Sequence, residues 1–84
     1  MSAKATKTLI EIVNNTQYTI SVRITNDNDE RSTGFFDIEP GKADFWARSF
    51  WQVAFVLRNS VDPTDNKALT LVVRPTGVYY INDD

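Results

Sequence analysis

The sequence has no cysteine and no histidine, and only three of its 84 residues are glycine. The lack of cysteine excludes disulfide bonds, thiolate zinc sites and iron–sulfur clusters, which are frequent supports of small domains. A chain of this length buries only roughly 60–65% of the surface that its unfolded state exposes. We therefore expect stability to come from cations bound by oxygen ligands or from self-association.

The same absences weigh against catalysis. Histidine, the most common general base, and cysteine, the most reactive nucleophile, are both missing, and no glycine-rich phosphate-binding loop is present. Asp37 and Glu39 form a carboxylate pair on one predicted strand, but so short a chain rarely encloses a sugar in a cleft. We predict that the protein is not an enzyme and requires no cofactor.

Charge and hydropathy exclude further classes. The net charge is −2 and the nine basic residues are spread along the chain, so the basic patch of a nucleic-acid-binding protein is missing. The start of the chain has no apolar run typical of a signal peptide, and no segment approaches a membrane span. These features and the lack of cysteine predict a cytoplasmic location. We expect residues 1–8 to be flexible and residues 9–84 to form a single β-domain.

Apolar and polar residues alternate over most of the chain, which is the pattern of half-buried strands. The clearest example is the segment 18–25, where Tyr18, Ile20, Val22 and Ile24 alternate with polar residues. Turn-forming residues separate the segments, most clearly at Pro40-Gly41. We predict an all-β fold, a small antiparallel β-sandwich of about six strands in which the first two strands pair, with a small β-barrel as the alternative.

The longest apolar region, residues 45–57, changes parity along its length. One parity contains Phe45, Trp51, Val53, Phe55 and Leu57, which we assign to the core, and the other contains Trp46 and Phe50. A β-bulge near Arg48-Ser49 would account for the change. A short helix through residues 49–57 is the alternative, because short apolar runs are ambiguous.

Aromatic residues exceed what one small core can hide, since the chain has two tryptophans, five phenylalanines and three tyrosines. The parity opposite the assigned core carries Leu9, Val13, Phe35, Trp46, Phe50, Val56, Val72 and Tyr79. A contiguous apolar patch usually marks an interface or a ligand groove. We predict that the protein is a homo-oligomer, and that its interface or ligand-binding surface contains Phe35, Trp46, Arg48, Phe50 and Tyr79.

Two other functions remain as alternatives for this surface. In a lectin-like carbohydrate-binding module, Trp46 or Tyr79 would stack on a sugar beside Asp or Asn side chains. In a lipid-binding or membrane-surface protein of the cytolysin type, the rings would sit at the headgroup level beside basic residues.

Acidic residues concentrate in two loops and at the C-terminus. If the strands run simply up and down, these segments meet at one pole of the domain, which then collects seven of the eleven acidic residues. Carboxylates and amide carbonyls on loops are the ligands of Ca²⁺, and the candidate metal ligands are Asp27, Asp29, Asp62 and Asp65. Loop chemistry alone also explains these residues, and no complete EF-hand motif is present.

The segment Ile10–Ile20 resembles the opening hairpin of thaumatin-like proteins and of actinoporin-like cytolysins. The Pro40-Gly41 turn followed by aromatic strands is also similar to the actinoporin type, and the two features cover about a third of the chain. The chain lacks the cysteines of the first family, and residues 1–8 are too short for the N-terminal amphipathic helix of the second. The resemblance implies a β-sandwich and keeps lipid binding as an alternative function, and no functional residue is transferred from it.

Overall fold

The computed structural model describes residues 8–26, 34–58 and 61–83. Their strands are β1 (Leu9–Asn14), β2 (Ile20–Ile24), β3 (Phe36–Ile38), β4 (Ala43–Ala47), β5 (Gln52–Arg58), β6 (Lys67–Val73) and β7 (Val78–Ile81). A short 3-10 helix, Pro63–Asp65, precedes β6.

The strands form two sheets, one in the order β4-β1-β7 and the other in the order β3-β2-β5-β6. The predicted all-β sandwich is therefore confirmed, with seven described strands where about six are predicted. The pairing is antiparallel except between β1 and β7, which run parallel. Apolar side chains from both sheets fill the space between them, and Ile10, Ile12, Ile20, Val22 and Ile24 are completely buried.

The first two strands do not pair as a hairpin, because β1 and β2 belong to different sheets. A buried amide shapes the connection between them. The Asn14 side chain donates hydrogen bonds to the carbonyl oxygens of Tyr18 (2.7 Å) and Ile38 (2.9 Å), and its Oδ1 accepts one from the Thr16 N–H (2.9 Å). Since every polar atom of this amide is satisfied, the turn is stable as a crossover between the sheets.

The apolar region 45–57 divides into two strands, β4 and β5, one in each sheet. Its change of parity therefore reflects a change of sheet at residues 48–51, so the expected bulge and the alternative helix are both wrong. The assignment of the β5 core residues is also wrong, because β5 buries Ala54 and Val56. These residues lie opposite Ile24 and Val22 of β2, so the apolar face of β2 determines which face of β5 points inward.

The turn at Glu39–Lys42 matches the geometry that Pro40-Gly41 predicts. The Lys42 N–H donates to the Glu39 carbonyl (3.0 Å), and Gly41 has a φ of 79°, as residue i+2 of a type II turn requires. The Arg74–Gly77 turn has the same pattern, with Thr76 at a φ of 73°. A β-branched residue is strained in that region, so this second turn depends on its neighbours to hold it.

Candidate interaction surface

Trp46, the first predicted anchor of the interface, lies in the core. It is 3% exposed, and its ring meets the Phe36 ring edge-on with 6.5 Å between centroids. The register explains this position, because Trp46 lies opposite Ile10 on the inner face of the three-stranded sheet. The expectation that Trp46 is a surface residue is therefore wrong.

Arg48 is also buried, and it holds the two sheets together at the β4–β5 connection. Its Nε and Nη2 donate to the carbonyl oxygens of Thr25 (2.7 Å) and Ile24 (2.9 Å), and its Nη1 donates to the carbonyl of Ala47 (2.8 Å). Burial lowers the pKa of the guanidinium below its ordinary value. The side chain stabilises the end of β2 and is not positioned to reach a partner.

The remaining predicted residues are separated from one another. Tyr79 is half-buried against the core, and its hydroxyl accepts a hydrogen bond from the Arg74 N–H (2.9 Å). Its ring occupies the space where a Cβ on residue 77 would lie, which explains the glycine there. Phe35 and Phe50 are exposed, but both lie on connections between strands. The structure does not gather the five predicted residues into one surface.

A different set of residues forms a continuous apolar surface on the outside of the three-stranded sheet. We call it the aromatic face, and it consists of Leu9, Glu11, Val13, Ala43, Phe45, Ala47, Val78 and Tyr80. Phe45 and Tyr80 are 53% and 58% exposed. In a two-layer sandwich the outer face of a sheet is normally polar, so this composition requires an explanation.

Charge on the aromatic face is confined to one residue of the set, Glu11, on the central strand. In the strand register Glu11 lies between Phe45 on β4 and Val78 on β7. One row further along β1, Val13 lies between Ala43 and Tyr80. Large and small side chains are therefore interspersed across the surface, and a single carboxylate sits near its middle.

Two features of the sequence hide this surface. Phe45 shares its parity with Trp51 and is therefore predicted to be a core residue, but the chain changes sheet between the two residues. The strand Val78–Ile81 has no polar residue, so alternation cannot show which of its side chains point outward. The informative signal lies on β4, where Ala43, Phe45 and Ala47 alternate with Asp44 and Trp46.

The outer side of the four-stranded sheet forms a second surface, which we call the mixed face. It consists of Ser21, Arg23, Asp37, Val53, Phe55, Leu57, Ala68, Thr70 and Val72. The Arg23 guanidinium lies over the Phe55 ring, 5.7 Å from its centroid. Ser21 Oγ donates a hydrogen bond to Asp37 Oδ1 (2.7 Å). Polar side chains on this face partly cover the apolar ones.

The predicted metal site falls partly outside the described residues, since Asp27 and Asp29 are not among them. Asp62 is exposed and caps the 3-10 helix, where its Oδ1 accepts hydrogen bonds from the N–H (3.0 Å) and hydroxyl (2.9 Å) of Thr64. The backbone hydrogen bond, followed by that of the hydroxyl, lowers the pKa of Asp62. Within residues 8–26, 34–58 and 61–83, no group of three acidic side chains is arranged to hold a metal ion.

The strand directions also separate the two loops that are expected to share a pole. In the β2–β5 register, Ile24 at the end of β2 lies beside Ala54, whereas Arg58 at the end of β5 lies beside Ile20. The chain therefore leaves β2 and β5 at opposite ends of the sheet. A simple up-and-down order of strands, on which the acidic pole depends, is not what the sheets show.

Comparison with known protein families, curated proteins and solved structures found no match to this chain. In the part of the chain that the structure describes, no helix has the length and apolar character needed to cross a membrane. The cytoplasmic location stays a prediction.

Proposed function

We infer that the protein is a non-enzymatic self-association module whose copies pack aromatic face against aromatic face. The observation that carries this proposal is the aromatic face itself, where seven of eight outward side chains are apolar. Apolar area removed from water contributes roughly 25 cal/mol per Å². An 84-residue chain without disulfides gains stability most directly by covering such a surface.

The shape of the aromatic face suits a second copy of the same chain. Phe45 and Tyr80 project on either side of β1, and Ala43 and Ala47 leave lower areas beside them. In a two-fold arrangement, large side chains of one copy can rest over small side chains of the other. Sheets that pack in this way lie about 10 Å apart, as in the sandwich itself.

Charge on the aromatic face argues against a lipid surface as the partner. A membrane-binding face places basic residues beside its rings. The one charged member of the aromatic face is an acid, Glu11. The net charge of the chain, −2, opposes the meeting of two copies only weakly.

A lectin-like function is less well supported, because the two rings predicted to stack on a sugar are not fully exposed. Trp46 is buried, and Tyr79 is half-buried with its hydroxyl already bonded to the backbone of Arg74. Stacking on a sugar requires an exposed ring face beside hydrogen-bonding side chains. Phe45 and Tyr80 are exposed, but their neighbours on the face are mainly apolar.

Sedimentation equilibrium of the unmodified chain tests self-association. We expect the weight-average mass to rise with concentration above the monomer mass of 9.6 kDa, toward a dimer at high micromolar concentration. High salt should leave the association largely intact, because apolar burial drives it and salt screens only the Glu11 charges. A mass that stays at 9.6 kDa up to millimolar concentration would refute the proposal.

A further inference from the structure

The four-stranded sheet has one strand more than the sheet it packs against, and β6 at its edge is incompletely covered. Inward-pointing side chains of β2 are completely buried, and Val56 on β5 is 3% exposed. Leu69, which lies opposite Val56 on β6, is 45% exposed. A cleft of about 240 Å³ opens beneath β6, and its apolar lining includes Ile20, Val56, Leu69 and Ile81.

Two basic side chains, Arg58 and Lys67, also line this cleft. They lie directly opposite each other on β5 and β6. Like charges in such a cross-strand position destabilise a sheet unless something neutralises them. Neither side chain forms an ion pair with a described residue.

Arg58 has further unmet bonding capacity. Its Nη2 donates to the Asp65 carbonyl (2.9 Å), and its guanidinium lies over the Tyr18 ring, 4.4 Å from the centroid. Its Nε is buried, and no described residue accepts a hydrogen bond from it. A buried donor without an acceptor is rare in folded proteins and destabilising. The cleft itself combines an apolar lining with two positive charges, neither of which forms an ion pair with a described residue.

We propose that this cleft binds an unbranched alkyl carboxylate of medium length. The carboxylate lies between the side chains of Arg58 and Lys67 and pairs with both positive charges. The alkyl chain lies along the apolar lining. Pockets for drug-sized ligands have volumes of roughly 300–1,000 Å³, so this smaller cleft suits a single chain and not a ring system.

Two acidic residues oppose the ligand and limit its affinity. Asp65 and Asp83 line an adjoining depression that shares Arg58 and Lys67 with the cleft. Their negative charges repel a carboxylate, so Asp83→Asn should tighten binding. The cleft and the aromatic face have no residue in common, and the ligand proposal therefore stands or falls independently of self-association.

Octanoate is the probe that tests the proposal, with octylamine and octanol as matched compounds that have the same chain length. Titrations of the full chain at low ionic strength, followed by amide chemical shifts in NMR, should show saturable changes at Leu69 and Ile81 with octanoate. Octanol should bind more weakly and octylamine not at all. No saturation with octanoate at tens of millimolar, or equal binding of all three compounds, would overturn the proposal.

Two substitutions test where the carboxylate of octanoate binds. Arg58→Leu and Lys67→Leu should each weaken octanoate binding at least about tenfold, the effect expected for losing a charged hydrogen-bond partner. The control is Arg74→Leu, which removes an exposed arginine that does not line the cleft and should change the affinity less than about twofold. Lys67 is exposed, so Lys67→Leu decides the question if Arg58→Leu fails to fold. Unchanged affinity in Lys67→Leu would contradict the assignment.

Discussion

The aromatic face and the mixed face are the outer surfaces of the same sandwich, yet they differ in how far polar neighbours shield their aromatic rings from water. On the mixed face, Arg23 lies over the Phe55 ring and a hydrogen bond joins Ser21 to Asp37. Phe55 is half-buried there without any third layer. On the aromatic face, the only charged side chain is a glutamate, and Phe45 and Tyr80 are more than half exposed. Polar side chains partly cover the Phe55 ring of the mixed face, although Val72 there stays 62% exposed, whereas the two rings of the aromatic face are open to the partner that we propose.

This difference shows that the number of apolar residues on a sheet does not by itself define an interface. The mixed face has five apolar side chains, but long or polar neighbours on adjacent strands reduce their contact with water. The aromatic face has short alanines at two of the three outward positions of β4, and these are too small to cover the rings of Phe45 and Tyr80. The solvent exposure that apolar side chains keep beside their polar neighbours is therefore a better indication of an interface than the number of apolar residues.

The largest expected effect tests whether β4 is oriented as described. Trp46→Ala should lower the free energy of unfolding by about 3–5 kcal/mol, because it removes a buried indole from the core. Phe45→Ala, one residue earlier on the outer face, should cost less than about 1 kcal/mol in the monomer. Urea denaturation at low protein concentration measures both. Equal losses would mean that the two faces of β4 are not distinguished as the structure shows.

The second prediction separates the two outer faces by mutation to a charged residue. Phe45→Glu should weaken self-association about a hundredfold or more, because it places a carboxylate in an apolar contact. The matched control is Val72→Glu, which also changes an exposed apolar residue on an edge strand, but on the mixed face. Sedimentation equilibrium should show a monomer for the first variant and wild-type behaviour for the second. The opposite result would assign the interface to the mixed face.

The third prediction concerns the charge at the middle of the aromatic face. In a two-fold arrangement the Glu11 carboxylates of two copies approach each other, so Glu11→Gln should tighten association by up to about tenfold. Copies stacked with the aromatic face on the mixed face would instead bring Glu11 toward Arg23. In that case Glu11→Gln would weaken association, and the two-fold arrangement would have to be abandoned.

The smallest expected effect comes from removing Arg23, the side chain that lies over the Phe55 ring on the mixed face. Arg23→Ala should lower the free energy of unfolding by about 0.5–1 kcal/mol, through loss of the cation–π contact with Phe55. Arg23→Lys should retain part of that contribution. Thermal or urea denaturation measures the change, and the solution mass should stay at its wild-type value. No loss of stability in Arg23→Ala would show that Phe55 does not need this cover.

Much of the fold follows from the sequence, because alternation is clear where polar residues flank buried ones. Ile20, Val22 and Ile24 alternate with polar residues in the sequence, and all three are core residues in the structure. Pro40-Gly41 predicts the type II turn that Gly41 adopts. The pairing of strands does not follow, because it depends on contacts between distant segments. The buried Asn14 amide is an example, because it bonds to residues four and 24 positions away at the point where the chain crosses from one sheet to the other.

The sequence predicts the residues of the candidate surface less well than it predicts the fold. A continuous apolar segment such as Val78–Ile81 has no polar residue to mark its outer face. Arginine is a residue type typical of interface anchors, but Arg48 lies where the chain crosses between the sheets, and three of its N–H groups donate to backbone carbonyls. Whether a ring or a guanidinium is buried depends on which strands are neighbours, and local periodicity does not contain that information.

Contacts between copies can be observed directly by isotope-filtered NMR on a mixture of labelled and unlabelled chains, at a concentration where the mass is that of a dimer. If two copies pack aromatic face against aromatic face, we expect intermolecular contacts between the rings of Phe45 and Tyr80 and the methyl groups of Ala43 and Ala47. Intermolecular contacts confined to Val72 and Phe55, or to Phe50 and Trp51, would contradict it.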